Sequence, residues 1–223
     1  MRVLGEMTTA VLVALLMTPG FQTETSSASE AAVDSVADST TATPAVVTMT
    51  ALDSVQAEES LPPAAVRRQL EAYLGRYSDD RLLVRRISRA VVREADRQQV
   101  SPSLITAVLL TENTTLRPEA ASSVGAQGLM QVMPFHAGAR LCNSDDLVDV
   151  DSNICHGTLI LARNLRATRS SAAALLRYNG CVRGTNTPDC WRYPSLVLSR
   201  AGRVRHEILA NATELAPIQI AER

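Results

Sequence analysis

Aromatic residues, lysine and strand-like patterns are all scarce in this chain of 223 residues. Phenylalanine, tryptophan and tyrosine together make up 3% of the chain, so each ring near a candidate site merits inspection. No lysine occurs, and every permanently basic side chain is therefore an arginine. No segment alternates apolar and polar residues over a useful length, which excludes half-buried strands as the main element. The repeating apolar spacings that do occur are helical, and they predict a protein that is mostly or entirely α.

The formal net charge of −1 conceals an uneven distribution of charge. Residues 22–63 contain seven acidic side chains and no basic one, whereas from Ala64 onward 21 arginines outnumber 15 acidic residues. A basic domain suits an anionic polymer. Nucleic acid is not the predicted partner, because the chain has no nucleic-acid-binding motif, no basic tail and no interleaving of aromatic and basic residues.

Residues 1–21 have the form of a secretory signal. Arg2 precedes an apolar run from Ala10 to Met17, which Thr18-Pro19-Gly20 interrupts. The run is short for a membrane span, which takes roughly 20 residues. An uncleaved anchor or a misassigned start is the alternative. A signal predicts that the protein acts in the periplasm or elsewhere in the exported cell envelope.

The remainder divides into three predicted parts. Residues 22–63 are rich in Ser, Thr, Ala and Glu without a sustained period, which predicts a disordered acidic linker because little apolar surface can be buried. The main domain is predicted at residues 64–210 and a C-terminal tail at 211–223. Ser78-Asp79-Asp80 and Ser101-Pro102 are predicted helix starts. The predicted helices cover 64–77, about 83–100, 102–112, 153–169, 171–178 and 193–210.

Four cysteines allow three pairings. Pairing neighbours, Cys142 with Cys155 and Cys181 with Cys190, closes two short polar loops and is favoured over free thiols in an exported protein. A zinc site is the weaker alternative, because there is no CxxC spacing and the nearest histidine, His156, directly follows a cysteine. We therefore predict two disulfides and no metal.

One acid has an unusual position. Glu112 follows Val108 by four residues and Ile105 by seven, which places it on the apolar face of a predicted helix. Desolvation there would raise the pKa of the carboxyl group, as a general acid near neutral pH requires. The alternative is a helix end at which the carboxylate simply faces water.

Three blocks that follow in order support the catalytic interpretation. The first comprises Glu112, Pro118, Ser122 and the run Gly125-Ala126-Gln127-Gly128-Leu129-Met130-Gln131-Val132-Met133-Pro134. The second is Asn153-Ile154 with Gly157, and the third runs from Ala174 through Tyr178-Asn179-Gly180. Together they resemble the soluble lytic transglycosylases, lysozyme-like enzymes that cleave peptidoglycan, over about residues 82–203.

The resemblance implies a lysozyme-like α domain that acts on peptidoglycan glycan strands without metal or cofactor, as a monomer. It implies that Glu112 alone serves as acid and base. The bond between N-acetylmuramic acid and N-acetylglucosamine would then be cleaved without water, leaving a 1,6-anhydro end. Two alternatives are a muramidase that hydrolyses the same bond and a non-catalytic peptidoglycan-binding domain.

The resemblance also implies roles for neighbouring residues. Gln131, Met130, Tyr178 and Asn179 would line the sugar cleft, with Asn113 and Ser122 beside it. Met130 could instead be a core residue, and Ser122 a cap. The glycines at 125 and 128 would let the loop approach the Glu112 helix. Trp191, Tyr193 and Phe135 could stack on sugar faces.

Two features differ from the family pattern in the stretch that follows Glu112. Asn113 stands where the family usually has serine, and the turn to Pro118 contains one additional residue.

Overall fold

The structure, a computed structural model, describes residues 56–181 and 189–213, with side chains to 210. Six α-helices make up most of these residues, and residues 56–59 are helical as well. No strand occurs in these ranges, only isolated bridges, which confirms the predicted all-α class. The predicted signal segment, residues 22–55 of the linker and the tail from 214 lie outside the described residues. The helices are α1 (Pro63–Leu74), α2 (Arg81–Gln98), α3 (Pro102–Glu112), α4 (Val150–Ala167), α5 (Ser171–Tyr178) and α6 (Tyr193–Thr213).

Polar side chains cap the starts of four helices. The Asp80 carboxylate accepts hydrogen bonds from the backbone N–H groups of the second and third residues after it, at 2.9 and 3.0 Å. Ser101 caps α3, with Pro102 as its first residue, as the sequence predicts. Asp149 and Ser170 cap α4 and α5 in the same way. The Asp149 cap explains why α4 begins three residues before the predicted start.

Helix α3 is buried on all sides. Every residue from Ser103 to Leu110 is buried, whereas the sequence predicts a single apolar face. A helix that is apolar all round belongs in the core rather than on the surface. At the C-terminal end, Thr111 and Glu112 are partly exposed, so the helix delivers its terminal acid to the edge of the core.

Helices α2 and α6 pack directly against α3. Helix α6 packs along α3 and also contacts α1 and α5, while α2 contacts α1, α3 and α4. One cluster of buried side chains joins all six helices, and it includes Leu70, Ile87, Leu109, Ile154, Leu175 and Val197. Within the described residues, none of the helices combines the length and apolarity needed to cross a membrane.

The packed body begins before the predicted boundary at Ala64. Glu58 is 1% exposed, and its carboxylate accepts hydrogen bonds from the backbone N–H and hydroxyl of Ser103 at 2.8 and 2.7 Å. It also pairs with Arg205 of α6 at 3.0 Å. Residues 56–63 therefore belong to the folded body, because a buried carboxylate with three donors anchors them to α3 and α6.

Both predicted disulfides are present. Cys142 is bonded to Cys155, and Cys181 to Cys190, with Cα–Cα distances of 5.5 and 5.8 Å. The first bridge ties a 3-10 turn at Arg140–Cys142 to α4. The second ties the residues after α5 to a 3-10 turn at Cys190–Arg192, which leads directly into α6.

Candidate active site

Glu112 is the last residue of α3 and is half-buried. The Tyr193 hydroxyl, at the first residue of α6, donates a hydrogen bond to Glu112 Oε1 at 2.5 Å. Burial raises the pKa of the Glu112 carboxyl group, and the tyrosine hydrogen bond opposes this only in part. Glu112 is thus an acid held in a desolvated site rather than a carboxylate that simply faces water.

The second oxygen of this carboxyl group is free. Oε2 accepts no hydrogen bond from any described residue, while Oε1 is occupied by Tyr193. Because the tyrosine donates to Oε1, a proton on the carboxyl group is directed to Oε2. The site therefore has one oxygen bound to the protein and one available for proton transfer.

Tyr178, at the end of α5, lies near the same carboxyl group. Its hydroxyl donates to the Met130 backbone oxygen at 2.9 Å. Burial, followed by the negative charge of Glu112, raises the pKa of the Tyr178 hydroxyl. Burial is also the main reason that the pKa of the Tyr193 hydroxyl is raised. Both phenols stay neutral in the physiological range, so each remains a hydrogen-bond donor.

The turn after Glu112 is stabilised by Asn113, which is 5% exposed. Asn113 Nδ2 donates to the Arg117 backbone oxygen at 2.7 Å, and Oδ1 accepts from the Arg117 N–H at 3.1 Å. Both ends of the Asn113 amide thus hydrogen-bond within the turn and brace the end of α3, while its predicted place beside the sugar cleft stays a prediction.

The glycine-containing segment folds back on itself. Gln127 pairs with Val132 through two backbone hydrogen bonds of 2.9 Å, and the Gly128 N–H donates to the Ala120 oxygen at 2.8 Å. Asn153, in the first turn of α4, anchors this fold: its Oδ1 accepts from the Met130 N–H at 2.7 Å. Its Nδ2 donates to the oxygens of Gln127 and Leu147, each at 2.8 Å.

Gly128 lets its loop approach another element closely, but that element differs from the predicted one. A Cβ atom at this position would lie 2.1 Å from Asn153 Nδ2, and φ is +79°. The sequence predicted approach to the Glu112 helix, whereas the main contact is with α4. At Gly125 a Cβ atom would meet nothing, so its φ of +89° and not its size is what the turn requires.

Met130 is a core residue and not a cleft residue. Its side chain is fully buried, and a Cβ atom added to Gly157 of α4 would lie 2.6 Å from its sulfur. The side chain thus takes the core position that the sequence left open as the alternative, because no surface of it is accessible. Its backbone contributes instead, since its carbonyl oxygen accepts the Tyr178 hydrogen bond.

The remaining predicted residues lie on or near the same loop. Gln131 is half-buried at φ +46°, and its Nε2 donates to the Gly128 oxygen at 2.9 Å. Its Oε1 accepts nothing from the described residues and is the part of the amide open to a ligand. The Ser122 hydroxyl accepts from the Ala126 N–H at 3.0 Å, as a cap does. Asn179 is half-buried directly after α5.

The main partner of Glu112 is not predicted from the sequence. Tyr193 is expected there only as a ring that stacks on sugar, but it is 9% exposed and its hydroxyl donates to Glu112. The sequence does contain a signal that places the two tyrosines near each other. Tyr178 and Tyr193 each lie three residues from one end of a predicted disulfide, which joins the segments that carry them. Trp191 and Phe135 are 66% and 74% exposed, so their predicted stacking role stays a prediction.

Comparison with known proteins agrees with these motifs. Residues 89–188 match the family described as transglycosylase SLT domain, a range that includes Glu112, the glycine-containing loop, Asn153 and Tyr178. A protein described as a transglycosylase from Enterobacteria phage PRD1 is 31% identical over 131 residues, which are 55% of this chain and 47% of that protein. The chain thus spans about half of this relative's length.

Tyr193 and Cys190 lie just beyond the matched range, so the contact between Tyr193 and Glu112 comes from the structure and not from the match. The order of the motifs, their assembly around one desolvated acid and the family match agree with one another. Residues 89–188 therefore carry a transglycosylase SLT domain, the family that the motifs of this chain resemble.

Proposed function

We propose that this protein cleaves the β-1,4 bond between N-acetylmuramic acid and N-acetylglucosamine in peptidoglycan without water, leaving 1,6-anhydromuramoyl ends. The observation that carries the proposal is the state of Glu112. It is a desolvated acid of raised pKa with one oxygen bound to Tyr193 and the other free. A group in this state is suited to donating a proton near neutral pH and then accepting one.

In the first step Glu112 Oε2 gives its proton to the glycosidic oxygen. The bond between that oxygen and C1 of the muramoyl residue breaks, while the substrate's own N-acetyl oxygen bonds to C1. The Tyr193 hydrogen bond then stabilises the carboxylate that has formed, because hydrogen bonds to an ionised acceptor are the stronger ones.

In the second step the Glu112 carboxylate takes the proton of the muramoyl 6-hydroxyl. O6 bonds to C1, the N-acetyl oxygen is released, and Glu112 ends protonated, as it began. Two-carboxylate glycosidases need a partner acid. Among the described residues, the Glu112 pKa is set by burial and Tyr193, with no contribution from another carboxylate. This supports a single acid that serves twice.

The test is to digest purified peptidoglycan with the wild-type protein and with Glu112→Gln, and to weigh the products by mass spectrometry. Anhydro-ended muropeptides that disappear in the variant are the expected result. Products heavier by one water, with reducing ends, would instead show a hydrolytic muramidase. No products, together with retained binding to sacculi, would show a binding domain and overturn both enzymatic functions.

Glu119→Gln is the matched control. Glu119 lies in the same turn region but is exposed and paired with Arg117 at 2.9 Å. Its removal changes the charge of the chain by the same amount as Glu112→Gln. The proposal requires that Glu119→Gln retain wild-type product yield.

A further inference from the structure

The second disulfide occupies a symmetrical position relative to the two tyrosines beside Glu112. Tyr178 lies three residues before Cys181, and Tyr193 lies three residues after Cys190. One bridge thus connects the end of α5 to the start of α6, and each connected end carries a phenol of the site. The other disulfide, Cys142–Cys155, joins a surface turn to the middle of α4.

The position of the Tyr193 side chain depends on the residues that precede it in the chain. It is the first residue of α6, and the first turn of a helix has the fewest backbone hydrogen bonds and opens most easily. The rest of α6 is held by core side chains, among them Val197, Val204 and Ile208. Immediately before Tyr193, the 3-10 turn Cys190–Arg192 is bonded through Cys190 to the residue that follows Tyr178-Asn179-Gly180.

Cys181 is itself rigidly attached to α5. Its N–H donates to the Leu176 oxygen, five residues earlier, at 2.8 Å, a hydrogen bond that caps the C-terminal end of α5. Leu175 of that helix is fully buried in the core. The bridge therefore couples the start of α6 to a fixed point rather than to a loop.

We propose that the Cys181–Cys190 disulfide positions the Tyr193 hydroxyl against Glu112, so that opening this bridge impairs the catalytic acid while α6 stays docked. The inference rests on the proposed function, and the bridge acts through Tyr193 without touching substrate. The groups that face Glu112 among the described residues are Tyr178 from α5 and Tyr193 from α6. Arg200 of α6 is bonded to the neighbouring Thr111 at 3.0 Å.

The two bridges also differ in access. Cys142 and Cys155 are 5% and 2% exposed, whereas in the second bridge Cys190 is 6% exposed and Cys181 is partly exposed. Attack by an external thiol requires access to a sulfur atom. Mild reduction of the folded protein is thus expected to open Cys181–Cys190 first, which makes the acid sensitive to the thiol status of its surroundings.

The test compares two double variants, Cys181→Ser/Cys190→Ser and the matched control Cys142→Ser/Cys155→Ser, across pH. The Tyr193 hydrogen bond lowers the Glu112 pKa, so its loss raises that pKa further. We expect the limb on which activity falls with rising pH to move to higher pH in the first variant. We expect kcat to fall about tenfold, the scale of one hydrogen bond to a charged group, with KM unchanged. In the control variant, activity should fall with rising pH over the same range as in the wild type.

The Tyr193→Phe variant shows how far the pH profile of activity moves when the Tyr193 hydrogen bond alone is removed. The pH profile of the Cys181→Ser/Cys190→Ser variant should move in the same direction and no further. An unmoved profile in that variant, or equal movement in both double variants, overturns the proposal. If the first double variant does not fold, the control variant is folded with its one remaining bridge and then reduced, and the same displacement is expected.

Titration of the ¹³C-labelled Glu112 carboxyl group by NMR reads the same coupling without substrate. If the wild type cleaves no peptidoglycan, the proposed function fails, while the carboxyl titration still decides whether the bridge acts on Glu112. An identical titration curve with the bridge open and closed overturns the inference alone.

Discussion

The two ends of α3 each hold a carboxylate, and they hold it differently. At the N-terminal end, Glu58 from the preceding segment is 1% exposed and receives three hydrogen bonds, from Ser103 and Arg205. At the C-terminal end, Glu112 is half-buried and receives one, from Tyr193. A carboxylate with all its partners stabilises the fold, whereas one with a free oxygen in a desolvated site is available for chemistry.

The largest effect should follow removal of the C-terminal acid. Glu112→Gln keeps the shape of the side chain but cannot transfer a proton, and general acid–base catalysis contributes about 10²–10⁴-fold. We expect kcat on purified peptidoglycan to fall by roughly that factor with sacculus binding retained. A variant with more than a tenth of wild-type kcat would assign the chemistry to another residue.

The N-terminal acid should instead govern stability. Glu58→Ala leaves Arg205 and the Ser103 N–H without their buried partner, and breaking a buried pair in this way costs about 3–5 kcal/mol. Urea unfolding measures this loss in the free energy of unfolding. The control is the exposed neighbouring residue Glu59. The Glu59→Ala variant should change the free energy of unfolding by less than about 0.5 kcal/mol. If the two variants are equally stable, the anchoring role of residues 56–63 is wrong.

The loop beside the C-terminal end allows a matched pair of glycine substitutions. Gly125→Ala adds a side chain in open space and should cost only the strain of positive φ, about 1–2 kcal/mol. Gly128→Ala adds overpacking against Asn153, typically about 1–3 kcal/mol more. Thermal unfolding of both variants checks the order, and equal losses would contradict the close packing at Gly128.

The smallest effect is the dependence of stability on pH. Because burial raises the Glu112 pKa above its unfolded value, protonation of this group favours the folded state. That contribution is fully present below the unfolded pKa, about 4.3, and is lost as pH rises through the folded pKa. Glu112→Gln should therefore gain stability relative to wild type as pH rises to 7. Melting temperatures at a series of pH values test this, and a constant difference would contradict the desolvation of Glu112.

Much of the fold follows from local signals. The caps at Asp80 and Ser101 start helices where the sequence predicts, because a side-chain oxygen bonds backbone N–H groups only two or three residues away. The pairing of neighbouring cysteines was predictable for a similar reason, since short loops keep their ends close. The family was recognised because three motifs occur in one order.

Two motif residues show why roles in the site are difficult to assign from the sequence. A motif residue can serve either the substrate or the fold, and the one-dimensional pattern is the same for both. Met130 is expected in the cleft or the core and Asn113 beside the cleft, and the structure packs the first against Gly157 and bonds the second within its own turn. The number of partners that surround a side chain is set by elements distant in the chain.

By itself, the sequence indicated the all-α class, the favoured disulfide pairs, the motifs of the transglycosylase domain and a candidate acid, because each depends on residue type and short spacing. The tertiary structure decided what surrounds that acid. Tyr193 lies 81 residues beyond Glu112, and only the packing of α6 along α3 brings its hydroxyl to Oε1. Desolvation and the orientation of a proton depend on such long-range contacts, which no local pattern encodes.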